Sequence, residues 1–158
     1  MDKAEISNLM GKLRSPKAKD RIMAAVTLGK AGNALAAGSL AEAVSDPNLS
    51  VRREAVIALG RLGDSAAVPG LLAALGDTDP SIRSAAVAGL GRIRDPCTFE
   101  KLIDCLTDKD PAVRIGAATV LGTMKDPRAI LPLRALLQDP FQDVRDAAGH
   151  AMRRLGKG

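Results

Sequence analysis

An arginine recurs at Arg21, Arg52, Arg83, Arg114 and Arg145, each step being 31 residues. A chain that repeats itself at such a period is built from supersecondary units that bury their apolar faces only by stacking on one another. Counting from that arginine, the residue before it is Val51, Ile82, Val113 or Val144, with Asp20 the exception. Three after it stand Ala24, Ala55, Ala86, Ala117 and Ala148, and seven after it Leu28, Leu59, Leu90, Leu121 and Met152. Gly29, Gly60, Gly91 and Gly122 come next, with Arg153 breaking the run. Offsets of −1, +3, +7 and +10 fall on one stripe of a helix, which is the second helix of each unit.

The other half of the period carries Ile6, Ala37, Val68, Phe99 and Ile130, then Leu9, Leu40, Leu71, Leu102 and Leu133, then Leu13, Val44, Leu75, Leu106 and Leu137. Spacings of three and four again mean a helix with one buried stripe. Asp2, Asn33, Asp64, Asp95 and Asp126 mark its start, because their short side chains can accept from the free amides of a first turn. Pro96 and Pro127 follow at the first helical position, where a missing amide costs nothing. Gly32, Gly63 and Gly156 stand where a left-handed residue commonly closes a helix. Ser15-Pro16, Asp46-Pro47, Asp79-Pro80, Asp110-Pro111 and Asp139-Pro140 are turn signals between the two helices. The chain is therefore expected to be all-α, a single domain over 1–158 made of five αα-hairpins at 2–32, 33–63, 64–94, 95–125 and 126–156. Lys12, in the place of Ala43, Ala74, Cys105 and Leu136, and Arg153 read as capping changes at the two ends.

Composition narrows the chemistry. Apolar residues make up 46% of the chain, yet it has no tryptophan or tyrosine and two phenylalanines, so small aliphatic side chains must fill the core. Cys97 and Cys105, eight apart in one expected helix, would be separated by about 12 Å, too far for a disulfide. They read as two small buried side chains in a reducing compartment. Two thiols and the single histidine, His150, cannot supply the four ligands of a structural zinc site, and no cofactor or metal is expected. The opening residues are charged throughout, without the apolar stretch of a signal peptide or membrane span. A cytoplasmic location is expected.

The unit Asp-Pro, three residues, Val-Arg, two residues, Ala, three residues, Leu-Gly, as at Asp46 to Gly60, resembles the HEAT-like repeat family, in particular its short-repeat branch of the phycobilisome-lyase type. The resemblance covers all five units, and the first departs most, with Ser15-Pro16 and Asp20. It implies an α-solenoid, a right-handed superhelix whose second helices line a concave face, and a role in binding more than in chemistry. It also implies a structural ladder in which Arg21, Arg52, Arg83, Arg114 and Arg145 pair with the turn aspartates Asp46, Asp79 and Asp110 through charge-assisted hydrogen bonds.

At 100° per residue, offsets −2, +1, +5 and +9 lie opposite the buried stripe of the second helix, and the last three carry the candidates. These are Ile22, Arg53, Ser84, Ile115 and Asp146, then Val26, Ile57, Ala88, Thr119 and His150, then Lys30, Arg61, Arg92, Thr123 and Arg154. The twelve from the first four units are the candidate partner-binding residues, with Ile22, Val26, Ile57 and Ile115 as apolar anchors framed by charge. Fifteen of the 23 basic residues fall in the second helices and their ends, so the expected partner is a protein with an acidic or amphipathic segment. Non-specific nucleic-acid binding is the second class, opposed by the lack of aromatic stacking residues. Resemblance to phycobilisome lyases adds a bilin-handling role as the enzymatic alternative, and no dedicated nucleophile or acid supports catalysis. The di-iron chemistry of the deoxyhypusine hydroxylases, which the repeat also resembles, is excluded by the single histidine. The Leu-Gly glycines serve either close helix approach or bending of the last turn, and the sequence does not choose.

Overall fold

The computed structural model describes residues 1–156; the last two residues of the expected 1–158 domain lie outside the described residues. Two compact units are present, Met1–Ile93 and a second opening at Arg94. The first holds three helix pairs: α1 (Lys3–Lys12) with α2 (Ala18–Ala31), α3 (Ala37–Ala43) with α4 (Leu49–Leu62), and α5 (Val68–Ala74) with α6 (Pro80–Ile93). The second holds two: α7 (Phe99–Asp104) with α8 (Pro111–Met124), and α9 (Ile130–Ala135) with α10 (Gln142–Arg154). Within each unit the second helices pack in chain order, α2 on α4 on α6 and α8 on α10. Sequential stacking of αα-hairpins is the arrangement of an α-solenoid.

The first helices are shorter than their apolar pattern suggests, and the caps explain why. Asn33, Asp64, Asp95 and Asp126 each accept from the amide two residues on. A 3₁₀ turn follows at Ala34–Ala36, Ser65–Ala67, Pro96–Thr98 and Pro127–Ala129 before the α-helix begins. Only α1 starts directly, because Glu5 returns a bond to the Asp2 amide while Asp2 accepts from the Glu5 amide, each at 2.8 Å. That reciprocal box satisfies two free donors at once; the corresponding residues Ala36, Ala67, Thr98 and Ala129 cannot make it.

The core follows the repeat. In the first unit Leu28, Leu59 and Leu90 lie under the second helices and Leu40 and Leu71 under the first, all fully buried. Leu102, Leu121 and Leu133 do the same in the second unit. Each is worth about 2 kcal/mol of transfer free energy. Leu9, Leu75, Ile130 and Leu137 are only half-buried. Lys12 is exposed where Ala43, Ala74, Cys105 and Leu136 are buried. Cys97 corrects the expectation of two buried thiols in one helix: it is exposed in the Pro96–Thr98 turn, and Cys105 alone is buried. Cys97 stands two before the buried Phe99 and so off its stripe, as exposed Ala4, Leu35 and Ala66 do at the same place in other repeats. None of the helices among the described residues is long and apolar enough to cross a membrane.

Candidate partner-binding face

The second helices approach one another through their glycines. A Cβ built on Gly29 would stand 2.7 Å from the Ala58 Cα, one on Gly60 3.0 Å from the Gly89 Cα, and one on Gly122 2.7 Å from the Ala151 Cα. These positions lie in the body of the helix, so close backbone approach is their role here, and bending is not needed to explain them.

All twelve candidate residues stand outside the core. Lys30, Arg53, Arg61, Ala88, Arg92 and Thr119 are exposed; Ile22, Val26, Ile57, Ser84, Ile115 and Thr123 are half-buried. In the first unit Ile57, Gly60 and Arg61 of α4 face Ala88, Gly89 and Arg92 of α6 across a groove of about 210 Å³. Gly60 and Gly89 let the two backbones meet at its floor, where a Cβ on Gly89 would run into Leu71 at 2.9 Å. In the second unit Thr119 of α8 joins Asp146, His150 and Arg154 of α10 around a groove of about 240 Å³. These last three occupy the same offsets in the fifth repeat and complete the set beyond the twelve. Met23 of α2, 57% exposed, is an apolar surface residue that the offsets +1, +5 and +9 leave out.

Rungs of the arginine ladder are present, with Asp46 in place as expected and with Asp77 and Asp139 beside it. Arg21 bonds both carboxylate oxygens of Asp46, Arg52 those of Asp77, and Arg114 those of Asp139, always 25 residues on. Each of the five arginines also donates Nη1 to the carbonyl six residues before it: Ser15, Asp46, Asp77, Asp108 and Asp139. Asp79 and Asp110, expected in the ladder, instead cap α6 and α8, accepting from the amides of Ser81 and Ala112. The Asp-Pro dipeptide occupies two places in the period. At Asp46 and Asp139 it stands six before the arginine, and at Asp79 and Asp110 four before it. Counting back six from each arginine identifies Asp77 without a structure.

Electrostatics agree with this pairing. The Arg21 guanidinium, working against burial, holds the Asp46 carboxyl below the usual carboxylate range, and Arg114 does the same to Asp139. Burial pushes Asp77 upward, and the bonds from Arg52 and the Asp79 amide outweigh it, so its carboxyl too lies low. Among the described residues no buried side-chain nitrogen or oxygen lacks a hydrogen-bond partner, and no three His, Cys, Asp or Glu side chains group closely enough to hold a metal ion.

A family model described as HEAT repeats matches residues 6–80 and again 68–153. The chain belongs to the HEAT-repeat family. No curated protein sequence matches this HEAT-repeat chain. Solved structures do. The complex of CpcE and CpcF of phycocyanin lyase from Nostoc sp. PCC7120 is similar at 28% identity and a TM-score of 0.81, over 97% of this chain and 65% of that one. The chain thus spans less than two thirds of that relative. Human deoxyhypusine hydroxylase, at 18% identity and a TM-score of 0.58 over 99% and 75% of the two chains, is alike in fold alone. So is a designed armadillo repeat protein in complex with the peptide (KR)4, at 17% identity and 0.68 over 96% and 82%.

Proposed function

We propose that these HEAT repeats form a non-catalytic scaffold that binds a partner protein on the outward face of the second helices. The observation that carries this reading is the contrast between the two sides of those helices. The inner side repeats one residue type from pair to pair, as Leu28, Leu59 and Leu90 do, while the outer side changes from Ile22 to Arg53 to Ser84. Repeated positions serve stacking, and varied ones suit recognition. Half-buried Ile22, Val26 and Ile57 beside exposed Lys30, Arg53 and Arg61 supply an apolar centre with a cationic rim, which an acidic or amphipathic segment complements. The designed armadillo protein with its bound peptide supports peptide binding by such a fold, though that peptide, (KR)4, is basic and says nothing for an acidic segment.

The test is capture of partners from the native cell after nuclease treatment, at low and moderate salt. One protein should be recovered by the parent chain and lost by Ile22→Glu/Val26→Glu and by Ile57→Glu/Arg61→Glu, with helicity unchanged. Recovery that disappears on nuclease treatment would transfer the face to nucleic acid. Recovery undiminished in both variants would remove the reading altogether.

Likeness to the phycocyanin lyase complex favours a second reading, bilin handling. Pigment bound to the purified chain, or bilin transferred to an apoprotein in its presence, would establish that role.

A further inference from the structure

The groove between α4 and α6 combines two features that call for a single ligand chemistry. Its floor and walls are apolar, formed by the backbone at Gly60 and Gly89 with Ile57 and Ala88 above them. Its rim carries Arg61 and Arg92, each in the last turn of its helix. Arg21, Arg52 and Arg114 all spend their guanidinium groups on ladder carboxylates, whereas Arg61 and Arg92 have no carboxylate within bonding distance among the described residues. Two like charges beside one recess repel each other, and an anion that reaches both replaces that repulsion with two charge-assisted bonds. Glycine at both facing positions lets the two backbones close the floor of the recess, a Cβ on Gly60 standing 3.0 Å from the Gly89 Cα.

From this we infer that the groove is a specificity pocket for an acidic peptide segment, taking one large aliphatic side chain over Gly60 and Gly89 while flanking carboxylates bind Arg61 and Arg92. The inference rests on the partner-binding role proposed above and names the ligand at one place on that face. Neighbouring helices stand about 8–10 Å apart, and extended chain advances about 3.3 Å per residue. Carboxylates two or three residues apart on either side of a leucine therefore reach both arginines. A lysine-rich segment would meet repulsion at the rim, and an acidic segment without a bulky aliphatic side chain would leave the recess wet.

The probe is a fluorescein-labelled, C-terminally amidated peptide, Gly-Ser-Glu-Asp-Leu-Glu-Asp-Ser-Gly, titrated with the full chain and read by fluorescence anisotropy. Saturable binding is expected, about tenfold weaker when the peptide leucine is alanine and absent when its four acidic residues are lysine. Arg61→Gln and Arg92→Gln should each weaken binding about fivefold and flatten its salt dependence. Ala88→Phe fills the recess from an exposed position and should weaken binding about tenfold with the thermal melt unchanged. Equal binding of the leucine and alanine peptides, indifference to Ala88→Phe, or no saturable binding of the acidic leucine peptide would overturn the pocket. The partner-capture experiment separates the two claims. Loss of capture in Ile22→Glu/Val26→Glu with full capture by Ala88→Phe and Arg92→Gln would refute the pocket and leave the scaffold role standing.

Discussion

Arg21 and Asp46 are joined by two parallel bonds, Nε to Oδ2 at 2.6 Å and Nη2 to Oδ1 at 2.8 Å, which tie the second helix of one pair to the turn of the next. The same guanidinium reaches back to the Ser15 carbonyl at 2.8 Å, so one side chain spans two turns. Because the fork accepts a carboxylate in only one plane, it sets the angle at which the next pair docks as well as its distance.

Removing that carboxylate charge should cost stability with a defined pH signature. A carboxyl whose folded-state pKa is depressed contributes fully above its unfolded value, about 3.9, and loses that contribution as pH falls toward the folded value. The melting temperature should therefore hold between about pH 7 and 5 and drop below about pH 4. Asp46→Asn should lose about 2 kcal/mol at neutral pH and show a shallower acid limb. Circular dichroism melts across pH check this, and an acid limb identical to the parent's would exclude Asp46 from it.

The glycine contacts predict opposite signs for two substitutions of one residue type. Gly122→Val forces atoms into the Ala151 backbone, 2.7 Å from where its Cβ would sit, and should destabilise by about 3 kcal/mol. Gly38, inside α3 with open space around it, should gain about 0.5–1 kcal/mol on replacement by alanine. Urea unfolding of both variants is the measurement, and two destabilisations of similar size would contradict the packing.

Lys125 closes α8 in the left-handed region at φ 55°, where Gly32 and Gly63 close α2 and α4 at 65°. A side chain with a Cβ is strained there. Lys125→Gly should raise stability by about 0.5–1 kcal/mol, and Gly63→Lys should lower it, by the same assay.

Cys97 is exposed, yet its hydrogen bond with Asp95 and the nearby negative charge push the thiol above its ordinary value. The thiolate is the reactive form. Iodoacetamide should label the native protein slowly at pH 8, and Asp95→Asn should speed labelling and move its pH midpoint downward. An unchanged rate would mean that Asp95 does not govern this thiol.

Leu59 and Ile57 stand two apart on α4 and face opposite ways, 0% exposed against half-buried. Leu59→Asp buries an unpaired carboxylate and should cost at least about 4 kcal/mol, unfolding the stack. Ile57→Glu/Arg61→Glu should leave the melt within a few degrees of the parent. Similar melts for the two would show that the faces of α4 are wrongly divided.

Helix pairing, the core stripe and the caps were legible in the sequence because each depends on residues within one or two turns. The −1, +3, +7 spacing places Val51, Ala55 and Leu59 on one side of α4 whatever they pack against, and Asn33 or Asp64 can cap only the turn directly after it. The 31-residue period then makes one reading serve five times. Tertiary structure decided the relations that cross from one pair to the next. Whether Asp77 or Asp79 meets Arg52 depends on where a turn lies 25 residues on, and two candidate aspartates two apart look alike in sequence. The role of Gly60 depends on how close the Gly89 backbone comes, a distance set by packing of whole helices. Local periodicity specifies direction around a helix axis; the spacing between axes, and the groove it opens at Ile57 and Ala88, arises only when the pairs meet.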